Sequence, residues 1–511
     1  MIFVVKTIKR TITLFVFPLL LSSCGSSQLE YTLESKLNPN KTSPLTAIIH
    51  LKANKPCTAT FRVLGESPVE QTFSSDSNDL DIPVVGLYPD KQNVVALTIK
   101  AGDEVKYDTV LIKTYKIPDG FPTIEIDQID TAKMEPGMHL VDLHLANHGV
   151  FESKPMIFDN EGVIRWYLDL GFFGDIIWPI QRAQNGSLLL GGKNEVYEYD
   201  MLGKVLSRYS VDESYRIHHD IVELPNGQLL MPIRKADSFI EVNGEQLQSL
   251  NDFFVLFDRE KNTIVKEWDM AETMCVGRRD IIHTTNMDWL HMNALAFDPS
   301  DSTILVSGKN QGLAKITWDN ELVWILAPNK GWGKAGRKSD GFETEPFVLT
   351  AVDADGKPFG SAVQTGSASA ENFDFPWGQH APEILPNGDI LLFDNGYSRH
   401  FVSPELYSRG VQYRVNETDK TVQQIWQFGK ERGPKFFSML ISDVDLLPET
   451  ENILVTAGFV DNYGKIVEVD PKTNEELFEA TLNFKTLNGN KTFTWGELDI
   501  MYRSERFDLQ Y

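Results

Sequence analysis

One phrase returns along the chain, and it limits the fold more than any other feature. His219-Asp-Ile-Val-Glu-Leu-Pro-Asn-Gly-Gln-Leu-Leu230 comes back as His380-Ala-Pro-Glu-Ile-Leu-Pro-Asn-Gly-Asp-Ile-Leu391. Each copy has a polar start, an apolar strand, a Pro-Asn-Gly hairpin and a second apolar strand. His291-Met-Asn-Ala-Leu-Ala-Phe-Asp-Pro-Ser-Asp-Ser-Thr-Ile-Leu305 fits with a slightly longer turn, and looser copies begin at Trp178 and Ser442. Outer-strand echoes follow several of them, such as Val196-Tyr-Glu-Tyr-Asp200 and Ile466-Val-Glu-Val-Asp470. A sixth copy can be assembled from Met138-His-Leu-Val-Asp-Leu-His-Leu and Met156-Ile-Phe-Asp-Asn-Glu-Gly-Val-Ile. A hairpin pair repeated at intervals of tens of residues is the pattern of β-propeller blades. Residues 330–375, rich in Gly, Ser and Asp, break the rhythm and predict a long insertion on one face.

Residues 30–115 read differently. Thr46-Ala-Ile-Ile-His-Leu-Lys, Thr58-Ala-Thr-Phe-Arg-Val-Leu and Val94-Val-Ala-Leu-Thr-Ile-Lys alternate with the two-residue period of strands, between turn clusters such as Tyr88-Pro-Asp. Short, evenly spaced strands with one apolar face predict a β-sandwich. Ile117-Pro-Asp-Gly-Phe-Pro122 is a natural joint. The expected layout is all-β: a signal over 1–23, a sandwich with its tether over 24–120, and a propeller over 121–511.

The first residues carry an address. Lys6, Lys9 and Arg10 precede an apolar run too short to span a bilayer, and Leu21-Ser-Ser-Cys24 closes it. Small residues before that cysteine resemble a bacterial lipobox, which implies cleavage before Cys24 and lipidation of its thiol. Gly25-Ser-Ser-Gln28 would be a short tether. The lack of Asp after Cys24 favours the periplasmic side of the outer membrane, with membrane attachment through the lipid alone. The net charge of −24 argues against nucleic acid as a partner. Cys57 and Cys275 lie far apart, with no Cys-X-X-Cys or Cys/His metal spacing.

Only ten histidines are present, and three of them, His219, His291 and His380, hold one repeat position. Inner strands of a propeller line its channel, so these imidazoles should converge at one mouth. A shared site is the expectation. Trp178 and Ser442 occupy the same position in other copies and would supply an apolar and a polar part of the wall. His218, next to His219 on a strand, should point away. Three imidazoles can hold a metal, but no carboxylate is forced nearby, so the site is read as metal-free.

Several separated motifs resemble the bacterial aryl-sulfate sulfotransferases. They are His218-His-Asp220, Asp288-Trp-Leu-His-Met-Asn293, Val306-Ser-Gly-Lys-Asn-Gln311, Gly378-Gln-His-Ala-Pro382 and Tyr407-Ser-Arg-Gly-Val-Gln-Tyr413. Leu349 to Pro358 and Gly86 to Asn93 fit as well, so the resemblance spans nearly all of the chain after the signal. It implies a sandwich on a six-bladed propeller, and transfer of a sulfuryl group between phenols without a nucleotide donor or other cofactor. It also suggests a homodimer. Residue by residue, His380 matches the family's nucleophile and His219 and His291 its supporting histidines. The family's catalytic Arg falls on Lys309, and the family's cysteine pair has no counterpart.

Lys is a point charge where Arg offers a planar fork, so this departure matters. Either Lys309 holds the sulfate, or another arginine enters the pocket, or transfer is impaired. Arg399 is one candidate, with a solvated loop charge as its competing reading. The chemistry suits neutral imidazole: His380 attacks sulfur, and His219, His291 and Lys309 steady the oxygens. Asn293 is a further donor candidate, and Trp178 and Trp377 are candidates for stacking on aryl rings, although tryptophan in a β protein is usually core. The expected partners are an aryl sulfate donor and a phenol acceptor. Three alternatives remain: an impaired propeller that binds sulfated or phenolic ligands, a purely structural module, and a quinone-dependent dehydrogenase, for which no cofactor signature is found.

Overall fold

The computed structural model describes residues 28–170, 179–280, 285–402, 406–486 and 496–511. Cys24 and Trp178 therefore lie outside the described residues. The chain is all-β and begins with an N-terminal sheet domain. Strands Tyr31–Leu37, Ala47–Ala53 and Asp79–Val84 form one antiparallel sheet. Val69–Ser75, Cys57–Val63, Gln92–Ala101 and Glu104–Lys113 form a second, in that order. Alternate residues such as Ile49, Leu51, Phe61, Val63, Leu97 and Ile99 are buried in a common core, as a two-residue period requires. Cys57 and Cys275 are both buried and free.

Among the described residues, six larger sheets follow, each built around antiparallel hairpins. The hairpin phrase seen in the sequence folds alike where it recurs. Leu224 and Gln228, Leu385 and Asp389, and Ala183 and Ser187 each pair across a turn, with backbone bonds of 2.8 Å from the first N–H to the second carbonyl. In each turn a glycine takes a left-handed φ: 80° at Gly227, 83° at Gly388 and 83° at Gly186. That is why Gly recurs there.

The first and last of the six sheets exchange strands. The C-terminal strand Ile500–Phe507 pairs with Met138–Asn147 in the first sheet. Thr123–Ile129, from the start of the region, pairs with Glu475–Asn483 at the outer edge of the sixth. First strands of neighbouring sheets touch: Met292–Asp298 meets His380–Ile384, which meets Asp443–Leu446, which meets Ile500–Phe507. A cavity of about 380 Å³ is lined from all six sheets, for example by Asp142, Gln181, Val222, Ala296, Glu383 and Asp443.

Two joints fix the parts. Arg165, fully buried, pairs with Asp159 at 2.8 Å, donates to the Ser67 carbonyl at 2.7 Å and lies 3.6 Å over the Tyr88 ring. It thereby stitches the N-terminal sheets to the first large one. Residues 330–375 reach more than one sheet: Arg337 pairs with Asp269 of the third at 2.7 Å, and later residues flank the fifth. Thr350–Ala351 adds a parallel strand to the edge strand Thr421–Phe428.

Packing against the C-terminal strand leaves no room at Gly458, where an added Cβ would stand 1.9 Å from the Met501 carbonyl oxygen. Gly458→Ala should therefore cost roughly 2 kcal/mol, in the range of overpacked cores, read as a lower urea midpoint. Gly360→Ala, where a Cβ meets nothing within 4 Å, should leave the midpoint unchanged.

Candidate active site

His380 opens the first strand of the fifth sheet, His291 directly precedes that of the fourth, and His219 lies between Tyr215–Ile217 and Val222–Glu223 of the third. The rings of His219 and His291 lie 4.9 Å apart at 71°. Both residues adopt a left-handed backbone, with φ of 61° and 52°. At His219 the chain makes a tight three-residue turn, with the Asp220 N–H donating 2.7 Å to the His218 carbonyl. Such conformations are strained for a residue with a side chain and persist where surrounding contacts enforce them.

This turn corrects the expectation for His218. Strand alternation would send its ring away, but the turn interrupts the strand, and the Nδ1 atoms of His218 and His219 meet at 2.8 Å. Burial pushes the pKa of His218 down to about 3, helped by the charges of Arg234 and His291. His219 is held well below its ordinary value by burial and then by its imidazole neighbours and Lys309.

His380 is 5% exposed, and its orientation is fixed by a residue the sequence did not reveal. Nδ1 faces Asn395 Oδ1 at 2.7 Å and the Gly378 carbonyl at 3.1 Å. The Asn395 amide nitrogen donates to the carbonyls of Ser438 and Ile441 at 2.7 and 2.9 Å. With its NH₂ committed, Asn395 can only accept at Oδ1, so Nδ1 of His380 carries the proton. Nε2 then keeps its lone pair. Burial and the charge of Lys309 push the pKa of His380 well down, against the bond to Asn395, which raises it.

Asn293 is buried and donates 2.7 Å to the Gln379 carbonyl, next to His380, while its Oδ1 finds no protein partner. Gln379 in turn donates to Ser307 Oγ and the carbonyls of Gly308 and Gly312, each at 3.1 Å. The fourth sheet thus holds the strand that carries His380.

His291 bonds through Nδ1 to Asp288, whose other oxygen accepts from Asn251 at 3.0 Å. Burial alone would raise Asp288, but the charge and bond of His291, Asn251 and Lys309 outweigh it and hold the carboxyl below its ordinary value. Lys309 follows closely, its N–H on the His291 carbonyl at 3.1 Å and its ammonium 5.9 Å from the Tyr397 ring centre. Burial lowers its pKa, and Asp288 opposes the shift. Tyr397 was not singled out in the sequence. Neither was Arg503, which pairs with Asp220 at 2.9 Å beside His219 and whose charge also acts on His380.

Other expected members do not join. Trp377 is fully buried in the fifth sheet's core, its indole on Asp374 at 3.2 Å and its ring edge-on to Phe401. Arg399 is neither a pocket cation nor solvated: it is fully buried between Asp374 at 2.7 Å and Asp394 at 3.0 Å. Ser442 is buried as well, and its hydroxyl bonds Ser438 Oγ at 2.8 Å, in the support behind Asn395 rather than in a pocket wall.

The tautomer is directly measurable. Imidazole ¹⁵N shifts should give His380 as neutral and Nδ1-protonated at neutral pH and still so at pH 6.5, the ordinary histidine value, because burial and Lys309 lower its pKa. Asn395→Ala should turn that signal into a mixture of tautomers. A pure Nδ1-protonated signal in Asn395→Ala would show that Asn395 does not set it.

The family model described as Arylsulfotransferase (ASST) matches residues 125–493, and its Ig-like domain model matches residues 34–118. Arylsulfate sulfotransferase AssT of Escherichia coli O6:H1 is 26% identical over 542 aligned positions, covering 87% of this chain and 89% of that protein. The protein of the same name from Lelliottia amnigena matches to the same extent. Among solved structures, a putative 6-phosphogluconolactonase from Bacteroides uniformis is 9% identical with a TM-score of 0.33, over 67% of this chain and 82% of that one. On the extent of the family match, this chain belongs to the arylsulfotransferase family.

Proposed function

We propose that the chain transfers a sulfuryl group from an aryl sulfate to an acceptor phenol through a sulfo-histidine on His380, with no nucleotide donor. The observation that carries this reading is the held tautomer: His380 is neutral, its Nδ1 proton is engaged by Asn395, and its other nitrogen keeps a lone pair. A buried, neutral, oriented imidazole is a nucleophile at neutral pH.

In the first step Nε2 of His380 attacks sulfur, the N–S bond forms and the S–O bond to the aryl oxygen breaks. The departing phenoxide takes a proton and leaves as a phenol. In the second step the oxygen of the acceptor phenol attacks the same sulfur. The N–S bond breaks, its electron pair returns to Nε2, and the acceptor's proton replaces the one taken by the first phenoxide. His291, backed by Asp288, suits the carrying of that proton. Lys309 and His219 steady the sulfuryl oxygens as charge develops, and Tyr397 offers a ring to the aryl group.

The six larger sheets are read as the blades of a propeller, supported by the exchanged end strands and by the cavity they all line. The N-terminal sheets are read as a sandwich over 24–120. The lipobox-like start supports export and anchoring by Cys24 on the periplasmic side of the outer membrane.

The test is an aryl sulfate with a coloured phenol, mixed with the protein with and without an acceptor phenol. Acceptor-dependent colour is expected without metal or nucleotide, and His380→Ala should lower it roughly 10³-fold or more. Full activity in His380→Ala would sink the proposal. No colour with wild type or Lys309→Arg would favour a protein that only binds such ligands.

The pH profile follows from the directions of the shifts. His380 must be neutral, and its lowered pKa keeps it so well below pH 6.5, so activity should persist into mild acid. Lys309 must be charged, and its lowered pKa means that activity is lost below pH 10.5 as pH rises. Lys309→Arg should move that alkaline limb upward.

A further inference from the structure

The outward face of the second N-terminal sheet is built unlike the rest of an acidic protein. Directly opposed residues share a face, and the register sets out its rows. Ser74, Thr58, Lys100 and Val105 form one, and Thr72, Thr60, Thr98 and Tyr107 the next. Glu70, Arg62, Ala96 and Thr109 follow, and then Val94 beside Leu111. Hydroxyl and apolar groups dominate, with Arg62, Lys100 and, after Leu111, Lys113 as cations. Glu70 is the one acid in these rows, and it pairs with Arg62 at 3.3 Å.

The outermost strand of this sheet, Glu104–Lys113, leaves large side chains in water. Tyr107 is 80% exposed, Leu111 58% and Val105 41%, and Tyr115 just beyond the strand is 75% exposed. An exposed apolar and aromatic stripe of this kind marks a surface that meets something.

The chain itself says what lies near. Leu29 donates its N–H to Glu104 at 2.6 Å, and the Tyr31 hydroxyl bonds Asp108 at 3.1 Å. The described chain therefore starts beside this edge strand, on the core side of it, since Glu104 and Asp108 oppose the buried Ala101 and Leu97. Five peptide steps separate Leu29 from Cys24, a reach of at most about 17 Å. A lipid on Cys24 would hold the Glu104 end of the strand within about that distance of the bilayer surface. Tyrosine suits that depth, since its ring is apolar and its hydroxyl wet, and lysine and arginine reach phosphate headgroups.

We propose that this face, led by Val105, Tyr107, Leu111 and Tyr115, rests on the headgroup layer of a phospholipid bilayer. The proposal depends on the reading of Cys24 as lipidated. The N-terminal sheets then act as a foot that sets the tilt of the larger region over the membrane.

The test uses the lipidated protein reconstituted in phosphatidylethanolamine–phosphatidylglycerol vesicles. A fluorophore is placed at Thr109→Cys, and for comparison at Asp355→Cys, an exposed turn of the larger region. Intact mass should show the lipid on Cys24, and iodide should quench the probe at 355 but not at 109. The shielding should vanish in Tyr107→Ser/Tyr115→Ser. Lipid present with both probes quenched alike would overturn the docking and leave the anchor standing. No lipid on Cys24 would overturn the anchor and, with it, the docking. Shielding at 109 that persists in the Cys24→Ser chain without vesicles would mean that another protein copy covers the face, and would also overturn it.

Discussion

The exchange of strands between the two ends of the six-sheet region is the constraint on which the rest depends. Without Ile500–Phe507 the first sheet lacks its inner strand, and without Thr123–Ile129 the sixth lacks its outer one. Each end would otherwise present a row of unpaired backbone groups. The same C-terminal strand reaches the site. Tyr502 donates its hydroxyl to the His219 carbonyl at 3.1 Å, and Arg503 pairs with Asp220. The strained turn at His219 is thus braced by a strand 283 residues further on, and such long-range pairing is slow to form. The histidine cluster is completed only when the fold is.

Much of this was legible in the sequence, because a repeat is a statement about register. Equal offsets from the start of the inner strand placed His219, His291 and His380 at one repeat position; the rings of His219 and His291 lie side by side, and His291 and Lys309 act by charge on both His219 and His380. What was not legible are contacts between repeats that no shared offset predicts. Asn395 follows the second strand of the fifth sheet and is set by the carbonyls of Ser438 and Ile441, just before the sixth. Asp288 sits in a short helical turn before its strand, and Arg503 at a break in register between Met501 and Ser504. His218 was misplaced because alternation assumes an unbroken strand. Sequence does not show burial, so Arg399 was read as a pocket or a solvated cation, and for Trp377 stacking stood beside the core reading: both belong to the network around Asp374 and Asp394 that supports the segment carrying Asn395.

The electrostatics of the site follow from burial and partners more than from the overall charge of −24. Desolvation favours neutral imidazole at His380 and His219, which is the form with a usable lone pair. The same desolvation works against the ammonium of Lys309, and Asp288 offsets part of that cost. One carboxylate therefore serves two groups, orienting His291 by a hydrogen bond and stabilising Lys309 by its charge. Removing it would leave a cation in a dry site, a costlier change than the loss of one hydrogen bond.

Below the histidines the balance reverses. The residues that follow each of them line the 380 Å³ cavity, which holds Asp220, Glu223, Glu383, Asp443 and Asp445 with Arg503 among them. Burial raises Glu383 to about 7, and burial with its acidic neighbours raises Asp443 to about 7 against the pull of Arg503. Such carboxyls hold protons near neutrality, which limits their mutual repulsion, yet any ionised fraction repels an anion. The cation at Lys309 and the ring of Tyr397 lie with the histidines and not in that cavity's lining. The field therefore differs between the two sides of the histidine cluster. It favours an anion on the Lys309 side and disfavours its passage into the acidic cavity, so an anion there meets attraction in front and repulsion behind.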